Sequence, residues 1–181
     1  MARLGRLNDE WFKKSVAGGG ALIDLGIHGV SMLAHFGEDP VAVSAYLNNY
    51  TGHETEDSAT IMVKFASGAI GTAHTDMMSL GMHNNLEVIG TKGQALAIGN
   101  ERNMQVFRLT EAQGYDSGYV PVPEEEYASK TLFPVTHFVG SLLEDDWNVP
   151  AGLDLETAIK VVKIVDSAYL SAETGKSVAI N

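Results

Sequence analysis

The chain has 181 residues, 45% hydrophobic and 19% charged, with 12 Lys and Arg against 23 Asp and Glu for a formal net charge of −11. Such a length suits one domain with a sizeable core, and the ordinary apolar content excludes disorder for the bulk of it. The negative charge argues against nucleic acid and anionic membranes, both of which need clustered Lys and Arg; the absence of cysteine excludes disulfides and thiolate metal sites and fits a cytoplasmic protein.

In chain order, Met1–Arg6 has no apolar core, so it does not read as a signal peptide. No apolar run approaches the roughly 20 residues of a membrane span. Residues 9–16 are mixed and lead to three glycines, Gly18–Gly20. From Leu22 to Phe36 the apolar spacing is helical, with Gly37 as the stop and Asp39-Pro40 as a break. Strand-like segments follow at Val41–Tyr50, Ala59–Phe65 and Ala69–Thr75, the last two joined by a Ser67-Gly68 turn. Leu86–Ile89 and Gln94–Ile98, around Gly90–Gly93, form a second hairpin pattern, and Met104–Leu109 and Tyr119–Val122 are further short strands. Glu124–Glu126 reads as a solvated loop. Phe133–Leu143 and Asp154–Thr174 are helices, the second carrying Leu155, Ile159, Val162, Val165, Ala168 and Tyr169 near helical spacing and closed by Gly175; Val178–Ile180 adds a last strand. The expected class is α+β: one domain over 1–181, a mostly antiparallel open sheet with helices on one face. A free apolar sheet face favours a homo-oligomer.

The most informative stretch is Gly18-Gly19-Gly20-Ala21-Leu22-Ile23-Asp24-Leu25-Gly26-Ile27-His28. It sets a carboxylate and an imidazole four residues apart, one above the other on a helix, amid apolar neighbours. An Asp beside a His is a common proton-transfer arrangement, since the carboxylate orients the ring. The plainer readings are a hydrogen-bonded core histidine and a first-turn acid favoured by the helix dipole. His35, seven residues on, would complete a metal set with Asp24 and His28, but zinc-binding helices use histidines at i and i+4, and here that pairing is Asp with His, so no metal is assigned. His53, Glu54, Glu56 and Asp57 read as a solvated acidic loop, His137 as structural, His83 as a surface loop residue, and Trp11 and Trp147 as packing residues.

The pattern Gly18-Gly19-Gly20-x-Leu22-x-Asp24-x-Gly26-x-His28 resembles the signature of the Gfo/Idh/MocA family, the glucose–fructose oxidoreductases, inositol dehydrogenases and relatives. Asp57-Ser58-Ala59 with Phe65–Gly71, then Leu86–Gly93, then His137-Phe138, the Pro150–Gly152 turn and the helix into Thr174-Gly175-Lys176 follow in the family's order, so the likeness runs from about Gly18 to Ile180. The resemblance implies the substrate-holding half of a two-domain NAD- or NADP-dependent oxidoreductase that acts on a sugar, polyol or related hydroxy compound. No strand followed by G-x-G-x-x-G is present, and no proline follows a lysine, where the family keeps a catalytic lysine. The expectation is therefore a C-terminal domain without its nucleotide-binding partner, inactive alone. By the same resemblance, His28 is the general base on the substrate hydroxyl and Asp24 a substrate-binding acid beside it. Gly19 and Gly20 let the backbone pass close to cofactor or substrate, and His74 is a substrate contact. Ser31 departs from the family, where an acid is frequent. Two other classes remain open: a non-catalytic sheet-mediated dimer or scaffold, and a metal-dependent hydrolase built on Asp24, His28 and another histidine.

Overall fold

The structure, a computed structural model, describes residues 9–79, 84–99, 104–110, 118–127, 134–144, 152 and 154–181. A 3-10 turn at Asp9–Phe12 leads to α1 (Lys14–Ala17), then a π-helical turn at Leu22–Gly26 that runs into α2 (Ile27–Phe36). Three strands follow, β1 (Pro40–Asn48), β2 (Ser58–Phe65) and β3 (Ile70–Asp76), then β4 (Asn84–Gly90), β5 (Gly93–Gly99), β6 (Gln105–Thr110) and β7 (Val120–Pro121). The chain ends with α3 (Glu124–Tyr127), α4 (Pro134–Leu143), α5 (Leu155–Thr174) and β8 (Val178–Ala179). Helices with antiparallel strands are the expected class, and among the described residues the strands form two four-stranded sheets, ordered β3-β2-β1-β8 and β4-β5-β6-β7. The chain divides into two compact units, Met1–Leu80 with Gly140–Asn181, and Gly81–Val139.

The first unit takes its layering from β2. Ala59, Ile61, Val63 and Phe65 are buried, while Thr60, Met62 and Lys64 between them are exposed. Register carries that alternation sideways: Ile61 lies between Ala45 and Ala73, and Val63 between Val43 and Gly71. The inward rows meet Leu22, Val30 and Ala34 on one side of the helical layer and Val161, Ile164, Val165 and Ala168 on the other. Small residues let α2 approach β3 closely: a methyl at Gly29 would sit 3.3 Å from the Ala73 Cβ, and one at Gly71 would sit 2.7 Å from Leu33 Cδ2. The outward rows carry Tyr46, Thr60 and His74, then Ser44, Met62 and Thr72.

Three sequence expectations are corrected here. Leu22–Phe36 is not one uniform helix, because its first turn is π-helical. The stretch Lys14–Phe36 is, by length and composition alone, long and apolar enough to cross a membrane, contrary to the expectation that no run comes near. It is broken by the turn at Gly18–Gly20 and places Leu22, Val30 and Ala34 in the core. Glu124–Glu126 opens α3 rather than a loop, exposed as expected, with Glu126 3.0 Å from Arg108.

α5 begins where Asp154 accepts the Thr157 amide at 2.8 Å and its hydroxyl at 3.0 Å, and it ends at Gly175 with φ 66°. Its buried face is Val161, Ile164, Val165, Ala168 and Ser171. Leu155, Ile159 and Val162, at the same helical spacing, are exposed. The buried Ser171 hydroxyl accepts the Ala45 amide at 3.0 Å and donates to the Lys176 carbonyl at 2.7 Å, which ties α5 to β1. In the second unit β4 and β5 form the expected hairpin, and the Tyr119 hydroxyl donates to Glu87 at 2.6 Å and lies 2.9 Å from the Gln94 side chain. His83, Trp147 and the start of the Pro150–Gly152 turn lie outside the described residues, as does the side chain of Trp11.

Candidate functional site

The site begins at the glycine turn. Gly18 has φ 78°, in the left-handed region that a side chain disfavours, and from it the chain turns into the π-helical segment. Gly19 and Gly20 are buried. A methyl at Gly19 would overlap the Tyr169 hydroxyl, and one at Gly20 would overlap the Glu56 carbonyl oxygen. These two close approaches account for both glycines within the chain itself.

Glu56 then occupies the amides that the start of the helical segment exposes. Its Oε1 accepts the Gly20 and Leu22 N–H groups, each at 3.0 Å, and its backbone carbonyl accepts the Ala21 N–H at 2.8 Å. Three successive donors at a helix start are thus satisfied by one residue from the β1–β2 connection. The same Oε1 accepts the Tyr169 hydroxyl at 2.8 Å. Burial and the adjacent Glu56 carboxylate push the Tyr169 phenol well up, so it stays a protonated donor. The positive end of the segment is therefore already met by a carboxylate, which leaves the glycine turn no free amide row for a phosphate.

The neighbouring Asp57 is buried and accepts the Tyr50 N–H at 2.9 Å and the Thr51 N–H at 2.8 Å. The expectation of a solvated acidic loop is thus corrected: Glu56 and Asp57 turn inward, and they do so because backbone donors await them there. His53 stacks on Phe12, with ring centroids 4.1 Å apart.

Asp24 sits in the middle of the π-helical segment, half-buried, with its amide donating to the Gly20 carbonyl at 3.0 Å. His28 lies one turn later, near the start of α2, and is exposed. No hydrogen bond joins the two side chains among the described residues. They share the stretch at the rim of the helical layer, and both reach solvent, while Leu22, Gly26 and Val30 between and around them turn to the core. A π-helical turn widens the backbone locally and is frequent at functional sites. Here it carries the acid of the pair.

His74 does not join them. It pairs with Thr60 in register, and Thr60 Oγ1 lies 2.8 Å from His74 Nδ1 on the exposed sheet face. α2 packs on the other face of β3, against Gly71 and Ala73, and the π-helical turn before it packs against Thr75. Strand alternation thus separates His74 from His28 by the thickness of the sheet. Asp76 lies 3.8 Å from His74 and is bound to the Met78 and Ser79 amides and the Ser79 hydroxyl. Ser31, where the family pattern has an acid, donates its hydroxyl to the His28 carbonyl at 2.8 Å and so is engaged with its own helix. His35 lies against Gly152, where a methyl would come 2.7 Å from its Nδ1. Among the described residues no group of three or more His, Cys, Asp or Glu is arranged to hold a metal ion, so the hydrolase reading gains no support.

Glu56 and Tyr169 are the site residues that the sequence reading missed. The only available signal was that Gly19 and Gly20 must approach something closely; nothing in the local sequence says what.

The family model of the GFO/IDH/MocA C-terminal domain matches residues 2–96. Among solved structures, the chain is similar to an NAD binding oxidoreductase from Klebsiella pneumoniae (21% identity, TM-score 0.73, 97% of this chain and 54% of that one). It is similar to the aldose-aldose oxidoreductase from Caulobacter crescentus complexed with glycerol (19%, 0.75, 96% and 52%). It is also similar to levoglucosan dehydrogenase in complex with NADH and levoglucosan (22%, 0.72, 94% and 53%). At these identities the likeness is one of fold, and the chain spans about half the length of the structures it matches.

Proposed function

Because this chain belongs to the GFO/IDH/MocA C-terminal domain family, we propose that it is the substrate-holding part of an NAD(P)-dependent oxidoreductase acting on a sugar, polyol or related hydroxy compound. The observation that carries this is that Asp24 and His28, one turn apart, both reach solvent while Leu22, Gly26 and Val30 beside them are buried. In this reading the His28 imidazole takes the proton of the substrate hydroxyl as the carbon–hydrogen bond breaks, and Asp24 holds a hydroxyl of the same substrate in line with it. A nicotinamide, NAD or NADP, would accept the hydride, held mainly by a part of the enzyme outside this chain, since no strand followed by G-x-G-x-x-G is present here. A polyhydroxylated substrate suits a site with one acid and one imidazole, and two relatives of the same fold were solved with glycerol and with levoglucosan.

His74, on the opposite sheet face, fits a different task. With the exposed Tyr46, Met62 and Ile70 it lines a face that association of two chains would cover, which favours a homo-oligomer formed through this sheet. The test of the catalytic reading is a panel of sugars and polyols offered to the full-length enzyme with NAD+ and with NADP+. Formation of reduced nicotinamide with a member of that panel is expected; none with any combination overturns the reading.

A further inference from the structure

The Asp24–His28 pair is only as precise as the backbone that holds it, and that backbone is π-helical at Asp24. A wider turn has weaker local reasons to keep its shape than an α-helical one, so a functional π segment needs support from outside. The support on the page is Glu56. One carboxylate oxygen receives donors from three directions: the Gly20 amide, the Leu22 amide and the Tyr169 hydroxyl of α5. Gly20 then passes the connection on, since its carbonyl accepts the Asp24 amide. Glu56 to Gly20 to Asp24 is a continuous hydrogen-bonded path, with Gly20 packed too tightly against the Glu56 backbone for any side chain.

We propose that Glu56, clamped by Tyr169, is a positioning residue that fixes the π-helical turn and thereby sets Asp24 and His28 for the substrate. The inference rests on the proposed proton-transfer role of that pair. Glu56 touches neither substrate nor reacting atoms. It acts by holding the first turn, and reacting groups displaced by about 1 Å can lose on the order of 10²-fold in rate. Gln keeps an acceptor oxygen at position 56 and drops the charge; Ala leaves two buried amides and a phenol without their partner.

The test uses Glu56→Ala, Glu56→Gln and Tyr169→Phe, each checked for intact fold by circular dichroism at the assay temperature. In the 181-residue chain, amide exchange at Asp24 and the ring resonances of His28 are read by NMR; in the full-length enzyme, kcat and KM are read. Glu56→Ala is expected to speed Asp24 amide exchange at least about tenfold, to shift the His28 ring signals, and to lower kcat by about 10²-fold with little change in KM. Glu56→Gln is expected to recover most of that loss, a rescue that general destabilisation would not give. If Glu56→Ala does not fold, Tyr169→Phe carries the test, with an expected loss of about tenfold in kcat. A folded Glu56→Ala, or Tyr169→Phe where Glu56→Ala does not fold, with wild-type exchange and ring signals, or with wild-type kcat, overturns the inference. A wild-type enzyme without nicotinamide turnover would instead remove the functional reading, and positioning would then be decided by exchange and ring signals alone: changed values support it and unchanged values overturn it.

Discussion

At the scale of single residues, the glycine run shows what a sequence can and cannot say. That Gly18, Gly19 and Gly20 are constrained is plain from their order, but the three constraints differ. Gly18 has a positive φ and open space around it, so Gly18→Ala should cost only the strain of the left-handed region, about 1–2 kcal/mol. Gly20 has backbone, not a movable side chain, where its methyl would go. Gly20→Ala should therefore cost about 3 kcal/mol or more, because neither the Glu56 carbonyl nor the Ala21 amide bonded to it can step aside cheaply. Urea unfolding of the two variants checks the ranking; equal losses would show that the Glu56 contact is not tight. Asp24 and His28 were legible as a pair because they lie in one continuous stretch. Glu56 was not, since its partners are Gly20, Leu22 and Tyr169, the last of them 113 residues away.

At the scale of elements, boundaries followed turn and cap chemistry closely. Asp154 and Gly175 delimit α5 as expected, and the Ser67-Gly68 turn joins β2 to β3. The Asp154 cap makes a pH prediction. The Thr157 amide first, and its hydroxyl next, hold the Asp154 carboxyl below its ordinary value of 3.8. A carboxyl lowered in the folded state stabilises the fold fully above its unfolded pKa, and that contribution fades as pH falls through the folded value. Asp154→Ala should lower the melting temperature near neutral pH, and the gap from wild type should close below about pH 4. A gap independent of pH would mean that the capping carboxylate is not the stabilising group. The face of α5 was harder to read. Apolar residues surround it, so periodicity alone could not choose between the stripe through Val161, Ile164 and Ala168 and the one through Leu155, Ile159 and Val162; the sheet settles it by covering one side. The π-helical turn was not legible either, because the five residues Leu22–Gly26 are too few for apolar spacing to tell a wide turn from an α-helical one.

At the scale of the whole molecule, the α+β class with antiparallel strands followed from helix and strand patterns separated by short glycine-rich turns, whereas the division into two sheets falls between the consecutive strands β3 and β4, a break that strand patterning does not mark, and only β1 with β8 joins strands far apart in sequence. The outward face of the first sheet, with Tyr46 82% and Met62 51% exposed, is where an assembly would form. Tyr46→Glu should shift the full-length enzyme to a smaller species in analytical ultracentrifugation with its fold intact; an unchanged sedimentation coefficient would exclude this face. The account as a whole depends on one imidazole acting as a base in the assembled enzyme. Its most direct measurement is turnover of the full-length enzyme carrying His28→Ala, with substrate and nicotinamide saturating. A fall in kcat by a factor of about 10² to 10⁴ is predicted, and a rate equal to that of the unaltered enzyme would contradict the account.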